Sequence, residues 1–415
     1  MIGAAAFRPK GLSGRLCAIA AAAAIAALSA CAPPKPVPLQ PEVAAPKTPP
    51  AGNPMEQDER NFLRLPNLPS GMTPVRVGII LPFSSPTPAT RTLATAMLGA
   101  AELSLFDSGN RALLLMTADE DATPAAARAA AAKLLDEGAE IIIGPLFGRS
   151  VAAVAPLARD RAVPVLAFST EKSVAGNGVY LLSFMPQSEV RRVIAYAATQ
   201  GHRNFAAMVP ENAYGNVVAS AFDAAVKDAG GRPVDVEHFA PDPAAVMAPA
   251  AAVAKSGADA ILIAQAGSVL DAIAPSLAFN GLDPAKVKLL GTGLWDDPSI
   301  NRQQTLDGGW FAAPAPDADS AFVRKYRDTF HKAPPQLASL AYDAISLVAL
   351  LANGPAYHRF TPQALMDPNG FAGVNGIFRF NSDGTSERGL AVLEVEPDGF
   401  HVVSPAPKTF QPPSF

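Results

Sequence analysis

Ser169-Thr170-Glu171-Lys172 sets a serine and a lysine three residues apart, the spacing by which a lysine activates a serine for acylation. That chemistry also needs S-D-N and K-T-G elements. Ser382-Asp383-Gly384 falls in a turn signal and Lys408-Thr409-Phe410 in the C-terminal tail, so neither completes the set. Ser169 and Thr170 therefore read as loop hydroxyls at a strand end. Gly291-Thr292-Gly293 lacks the third glycine of a dinucleotide loop. Asp296-Asp297 pairs two carboxylates without the further oxygen ligands a hard cation needs, and reads as a loop cap. His202, His238, His331, His358 and His401 are scattered singly, without metal-ligand spacing. Cys17 and Cys31 both precede the region patterned to fold, which excludes a disulfide framework or a thiolate metal site there. No catalytic residue, metal or cofactor is predicted, which leaves binding chemistry.

Binding residues must be held by regular elements, and from Val75 onward the pattern supplies them. Val75–Leu81, Leu113–Met116, Ile141–Ile143 and Val165–Phe168 read as strands, separated by helical stretches at Thr92–Leu105, Pro124–Glu137 and Val151–Arg161. Strands alternating with helices imply right-handed βαβ crossovers and a parallel sheet. The rhythm resumes after Pro186, with strands at Phe205–Val209, Val234–Phe239, Ile261–Ala264 and Lys288–Leu290 between four helices. The last quarter differs. Gly308–Phe311 reads as a strand, Ala318–His331 and Leu337–Ala352 as helices, and Gly376–Phe380 with Leu390–Val395 as an antiparallel hairpin turning at Asn381–Gly384. The fold class predicted is α/β, with two doubly wound parallel-sheet lobes joined by a multi-strand hinge.

In such sheets the ligand lies off the carboxyl ends of the strands. The loops expected to meet there are 146–150, 168–170, 213–215 and 265–268, with 82–85 as a further candidate. The candidate cleft residues are Phe147, Gly148, Arg149, Ser150, Phe168, Ser169, Thr170, Tyr214, Gln265 and Trp295. Backbone amides at the helix starts after Pro145 and Phe168 suit a carboxylate, and Tyr214 can cover it. Arg149 reads either as an anion holder or as an exposed helix-start charge. Trp295 and Trp310 read either as cleft anchors or as core.

The N-terminus reads as an address. Arg8, Lys10 and Arg15 precede an apolar run from Leu16 to Leu28, too short to span a bilayer comfortably. Leu28-Ser29-Ala30-Cys31 resembles a bacterial lipobox, which implies cleavage after residue 30 and lipid attachment at Cys31. By similarity to sorting rules, Ala32 in the next position implies the outer membrane, facing the periplasm. Residues 31–72 form a stalk rich in proline, polyproline II or disordered, that at about 3.1 Å per residue spans on the order of tens of Å. Within it, Glu56–Arg64 reads as a short helix. A net charge of −4 with 17% charged residues gives no basis for nucleic-acid binding.

Five stretches in order resemble the leucine/isoleucine/valine-binding type of periplasmic binding protein. They are Asp119–Pro124 with Glu137-Gly138-Ala139 and Ile141–Pro145; Ala162–Thr170; Glu211–Gly215; Asp307–Phe311; and Val374–Phe380 with Asp383-Gly384. The match covers about Val75 to Val403 and implies the type I periplasmic binding protein fold. It implies lobe one at 73–186 plus 314–373, lobe two at 187–313 plus 374–404, and a tail at 405–415. Ile143-Gly144-Pro145-Leu146 and the lipidated stem look most like the penicillin-binding-protein activators, whose partner is a peptidoglycan synthase. The alternative is a solute receptor that delivers a small molecule to an ABC permease. Amino-acid receptors of the family place an acid in the second lobe against the ligand ammonium, whereas Gln265-Ala266-Gly267-Ser268 carries none.

Overall fold

A computed structural model describes residues 62–411, apart from 69, 72, 284, 356 and 357. The export signal, Cys31 and most of the stalk lie outside the described residues. Where the expected helix over 56–64 is described, Phe62–Leu63 is instead a strand, β1, paired antiparallel with Met116 and Leu115. An edge position lets Phe62 and Leu63 pack against opposite faces of the sheet, which a free helical turn would not do.

The first sheet continues with β2 (Val75–Leu81), β3 (Leu113–Asp119), β4 (Ile141–Ile143), β5 (Val165–Ala167) and β6 (Val179–Leu181). They run parallel in the order β1-β3-β2-β4-β5-β6, with only β1 reversed. Helices α1 (Pro88–Ser108), α2 (Pro124–Asp136) and α3 (Gly148–Asp160) supply the crossovers. The isoleucine run of β4 is explained by its two covered faces. Ile141 and Ile143 join the core beneath α1, while Ile142 points to the core beneath α2 and α3. Thr123 starts α2, its hydroxyl accepting from Ala126 N at 3.2 Å, with Pro124 at the first helical position. Buried Ala127, Ala130 and Ala131 then let α2 lie close on the sheet.

The second sheet is built from α4 (Pro186–Thr199), β7 (Asn204–Pro210), α5 (Ala213–Asp228), β8 (Arg232–Phe239), α6 (Met247–Lys255), β9 (Ala260–Ile263), α7 (Gly267–Phe279), β10 (Lys288–Gly291) and β11 (Trp310–Ala313). The chain then returns to lobe one through α8 (Ser320–Phe330) and α9 (Ala338–Leu351), and α9 packs along α1. The Ser104 hydroxyl of α1 lies 2.9 Å from the Tyr342 carbonyl of α9. No helix among the described residues is long and apolar enough to cross a membrane.

The C-terminal part departs from the sequence reading in two ways. After the short α10 (Pro362–Leu365), strands β12 (Phe371–Gly373), β13 (Gly376–Phe380) and β14 (Ser386–Arg388) make a small antiparallel sheet. The expected hairpin of 376–380 with 390–395 is not formed, because β13 pairs with β14. Phe371, Phe378 and Phe380 enter the lobe-one core, so 374–388 packs with lobe one and not with lobe two. Only beyond Gly389 does the chain cross, and β15 (Ala391–Glu396) and β16 (Gly399–Ser404) then complete the second sheet in the order β16-β15-β11-β10-β9-β7-β8. Phe378 decides the boundary, since the lobe-one core buries it completely.

The first and third crossings are knitted together. Leu181 N donates to Gly384 O at 2.8 Å, and the Ser386 hydroxyl lies 3.3 Å from Ser183 O. Arg388 ends the lobe-one strands with both terminal nitrogens 3.2 Å from Asp343 Oδ2, and these side chains are 2% and 0% exposed. Val374 N donates to the other carboxylate oxygen at 2.8 Å, and the guanidinium carbon lies 4.9 Å from the Phe184 ring centre and 5.2 Å from that of Phe378. A charge pair this deep is held by geometry, since taking both charges out of water is expensive.

Candidate functional site

The loops that leave the carboxyl ends of the two sheets enclose a cavity of about 760 Å³. From lobe one come Leu146, Phe147 and Gly148 after β4, and residues 168–173 after β5. From lobe two come Ala213, Tyr214 and Val217 at the start of α5. Pro186 at the first crossing, Leu93 of α1 and Leu337 ahead of α9 close the walls. The lining is mostly apolar and aromatic, with a rim of hydroxyls.

Gly144 makes the lobe-one wall possible. Its φ is +85°, and a Cβ there would overlap the Ile80 carbonyl oxygen. The chain can turn sharply off β4 only with glycine at this point, and the turn presents Leu146 and Phe147 to the cavity. Ser169 is 5% exposed and its hydroxyl accepts from Glu171 N at 3.0 Å, which folds the 169–171 loop over the start of α3. Opposite, the Tyr214 hydroxyl meets the Thr292 hydroxyl at 2.8 Å.

Behind Tyr214 stands an acidic group. Glu189, in the first turn of α4, accepts from Gly293 N at 2.8 Å. Glu189 as a whole is half-buried, while its carboxyl is enclosed by protein. Burial pushes that carboxyl up to about 7, with Asp296 adding to the rise and the Gly293 amide opposing it. Asp296 is raised to about 6 by burial and by Asp319 and Asp297, and it accepts from Gln336 Nε2 at 3.3 Å. Asp296 keeps an exposed surface and is not part of the cavity lining. The Tyr214 phenol is raised by burial first and by Glu189 next.

Of the candidates from sequence, Phe147, Gly148, Phe168, Ser169, Thr170 and Tyr214 line this one cavity. Arg149, Ser150, Gln265 and Trp295 do not. The Arg149 guanidinium donates to the Ala122 carbonyl at 2.9 Å and lies 5.7 Å from the Phe147 ring centre, outside the cavity lining. Ser150 is fully buried beside Glu120, and its hydroxyl and Glu120 Oε2 each lack a partner at hydrogen-bonding geometry. Gln265 offers its backbone carbonyl to Trp295 Nε1 at 3.1 Å, and its side chain does not join the lining. Trp295 is 0% exposed in the lobe-two core against Phe311, because the indole buries more apolar area there than an open cleft could cover. Trp310 is likewise core, its indole nitrogen on Glu394 at 3.3 Å. Ser84, in the 82–85 loop, is tied to Asp119 and does not enter the cavity. Sequence reasoning missed Thr90, Leu93, Glu171, Lys172, Ser173, Ser183, Pro186, Val217 and Leu337. Of these only Glu171 to Ser173 carried a usable signal, since they adjoin Ser169-Thr170.

Comparison with known proteins agrees with this arrangement. A family model described as periplasmic binding protein matches residues 74–399. A search of curated proteins found no match. Among solved structures, a protein assigned to a branched-chain amino acid ABC transporter of Rhodospirillum rubrum is similar at 20% identity, over 80% of this chain and 100% of that one, with a TM-score of 0.71. A solute-binding protein of an ABC transporter from Rhodopseudomonas palustris, in complex with 3,4-dihydroxybenzoic acid, is similar at 19% identity, over 80% of this chain and 96% of that one, with a TM-score of 0.57. A leucine-binding protein from Thermotoga maritima is similar at 19% identity, over 80% of this chain and 98% of that one, with a TM-score of 0.55. With the family model matched over residues 74–399, and with two sheets whose strand-end loops meet at a cavity, the chain belongs to the periplasmic binding protein family.

Proposed function

We propose that this protein is a solute-binding receptor of an ABC transporter, capturing a small molecule between its lobes in the cell envelope and presenting it to a permease. The observation that carries the reading is the cavity of about 760 Å³ between the sheets, a size suited to a small organic molecule. The family match supports it, and the similar structures from R. palustris and T. maritima are named for small carboxylic ligands. The role is binding and not catalysis, since the S-x-x-K spacing at Ser169 supplies only lining and loop hydrogen bonds. The activator reading rests on the stem and on Ile143–Leu146 alone, and the comparisons described carry no support for it, so the receptor reading takes precedence. Lipid attachment at Cys31 belongs to the same proposal and is tested by palmitate labelling of the wild type against Cys31→Ser, whereas the outer-membrane assignment from Ala32 fits the activator reading and is tested by membrane fractionation.

The function is tested by a thermal-shift panel of amino acids, aromatic acids and amines, repeated on Tyr214→Ala. The reading requires at least one compound to stabilise the wild type and to lose its effect in the variant. Affinity capture from membranes separates the partners. Recovery of a permease supports the receptor, and recovery of a peptidoglycan synthase without one overturns it.

A further inference from the structure

Resting on the receptor reading, we propose that the cleft is selective for an organic cation, an amine or ammonium carried on an apolar body, and disfavours carboxylates. The start of α3 is where backbone amides would take a ligand carboxylate. The chain's own Glu171 already lies there. A Cβ on Gly148, the first residue of α3, would overlap Glu171 Oε2. The carboxylate is steadied by the Ser173 hydroxyl at 2.7 Å from Oε1, and its backbone by Ser169. A ligand carboxylate would have to approach that charge and expel it.

The neighbouring cations do not offset it. Lys172 also lines the cavity, but its ammonium sits 3.0 Å from Asp383. The Arg149 guanidinium is on the Ala122 carbonyl. Among the described residues no cation pairs with Glu171. The lobe-two lining is uncharged, and two acids lie behind it. Glu189 stands behind Tyr214, and Asp296, close to Asp319, is bonded to Gln336, the neighbour of the lining Leu337. Glu171 is thus a cavity-lining acid with no ion-pair partner among the described residues, Glu189 and Asp296 lie outside the lining, and Phe147, Phe168 and Tyr214 supply aromatic surface. Aromatic faces and carboxylates together are the chemistry that recognises an organic cation. The acid that the 265–268 loop lacks is supplied by Glu171.

The test uses the full chain and three probes of one shape: phenethylamine, 3-phenylpropionate and 2-phenylethanol, titrated calorimetrically at pH 7.5 and low salt. Phenethylamine is expected to bind at least about tenfold tighter than either other probe, the discrimination of one charge-assisted contact. Glu171→Gln, at an exposed position and checked for unchanged urea unfolding, is expected to weaken the amine about tenfold and to improve the carboxylate. Tighter binding of 3-phenylpropionate than of phenethylamine, or a Glu171→Gln variant that leaves both affinities unchanged, overturns the cation assignment and leaves the receptor reading standing. Silence from all three probes and from the earlier panel takes down both.

Discussion

Glu189→Gln separates the electrostatic account of the cleft wall from a purely steric one. Glu189 has a carboxyl pushed from 4.5 to about 7, and its one described hydrogen bond comes from Gly293 N at 2.8 Å. A raised carboxyl in the folded state means that the native protein holds its proton more tightly than the unfolded chain does. Below about pH 4.5 both states are protonated and the full stability is present. As pH rises towards 7 the unfolded chain ionises first, so stability falls, and above about 7 the whole penalty is felt. A rise from 4.5 to about 7 corresponds to about 3 kcal/mol, and the partial solvent contact of Glu189 reduces this to about 1–2 kcal/mol. Glutamine keeps an oxygen for the Gly293 amide and cannot ionise. Urea unfolding of wild type and variant at pH 4, 5.5 and 8 is expected to give equal stability at pH 4 and a variant more stable by about 1–2 kcal/mol at pH 8. A difference that does not change with pH, or a variant less stable at pH 8, refutes the argument.

Three further outcomes follow from named contacts. Arg388→Met leaves Asp343 buried without its counter-charge and is expected to cost about 3–5 kcal/mol in urea unfolding, most of which the added Asp343→Leu change restores. Trp295→Ala opens a hole in the lobe-two core and is expected to cost about 3–5 kcal/mol while leaving ligand affinity unchanged, so lost affinity at intact stability would place Trp295 in the site after all. Gly144→Ala meets both a positive φ and the Ile80 carbonyl, and is expected to cost about 1–3 kcal/mol and to weaken ligand binding by displacing Leu146 and Phe147.

Both lobes were readable because their central strands are buried on two faces, which turns β4 into three isoleucines and leaves helical stretches between such runs. The strand-end rule pointed, without a motif, to Phe147, Gly148, Phe168, Ser169, Thr170 and Tyr214, which line one interlobe cavity. What was not readable depends on partners distant in sequence. Strands β6 and β14 have three residues each, too few to show a period. The period of β13 was legible, but its partner was not, since alternation fixes a face and not a neighbour. Arg388 in such a strand reads as solvent-facing until Asp343 of α9 is brought beneath it. Glu189 gives no local sign of its burial, because Gly293 and Asp296 reach it only through the folding of lobe two. Trp295 and Gln265 were placed in the cleft by their positions after strands, yet an indole directly after a tight turn folds back onto the core.

The central claim is that the ligand sits between the lobes, and a crystal structure of the protein with the best compound from the thermal-shift panel tests it most directly. The account places the ligand's apolar body between Phe168 and Tyr214, within reach of Leu146 and Leu337. Ligand density in the separate hollow on the flank of lobe one, around Arg111, Tyr342 and Asn353, with the interlobe cavity left to solvent, would contradict it.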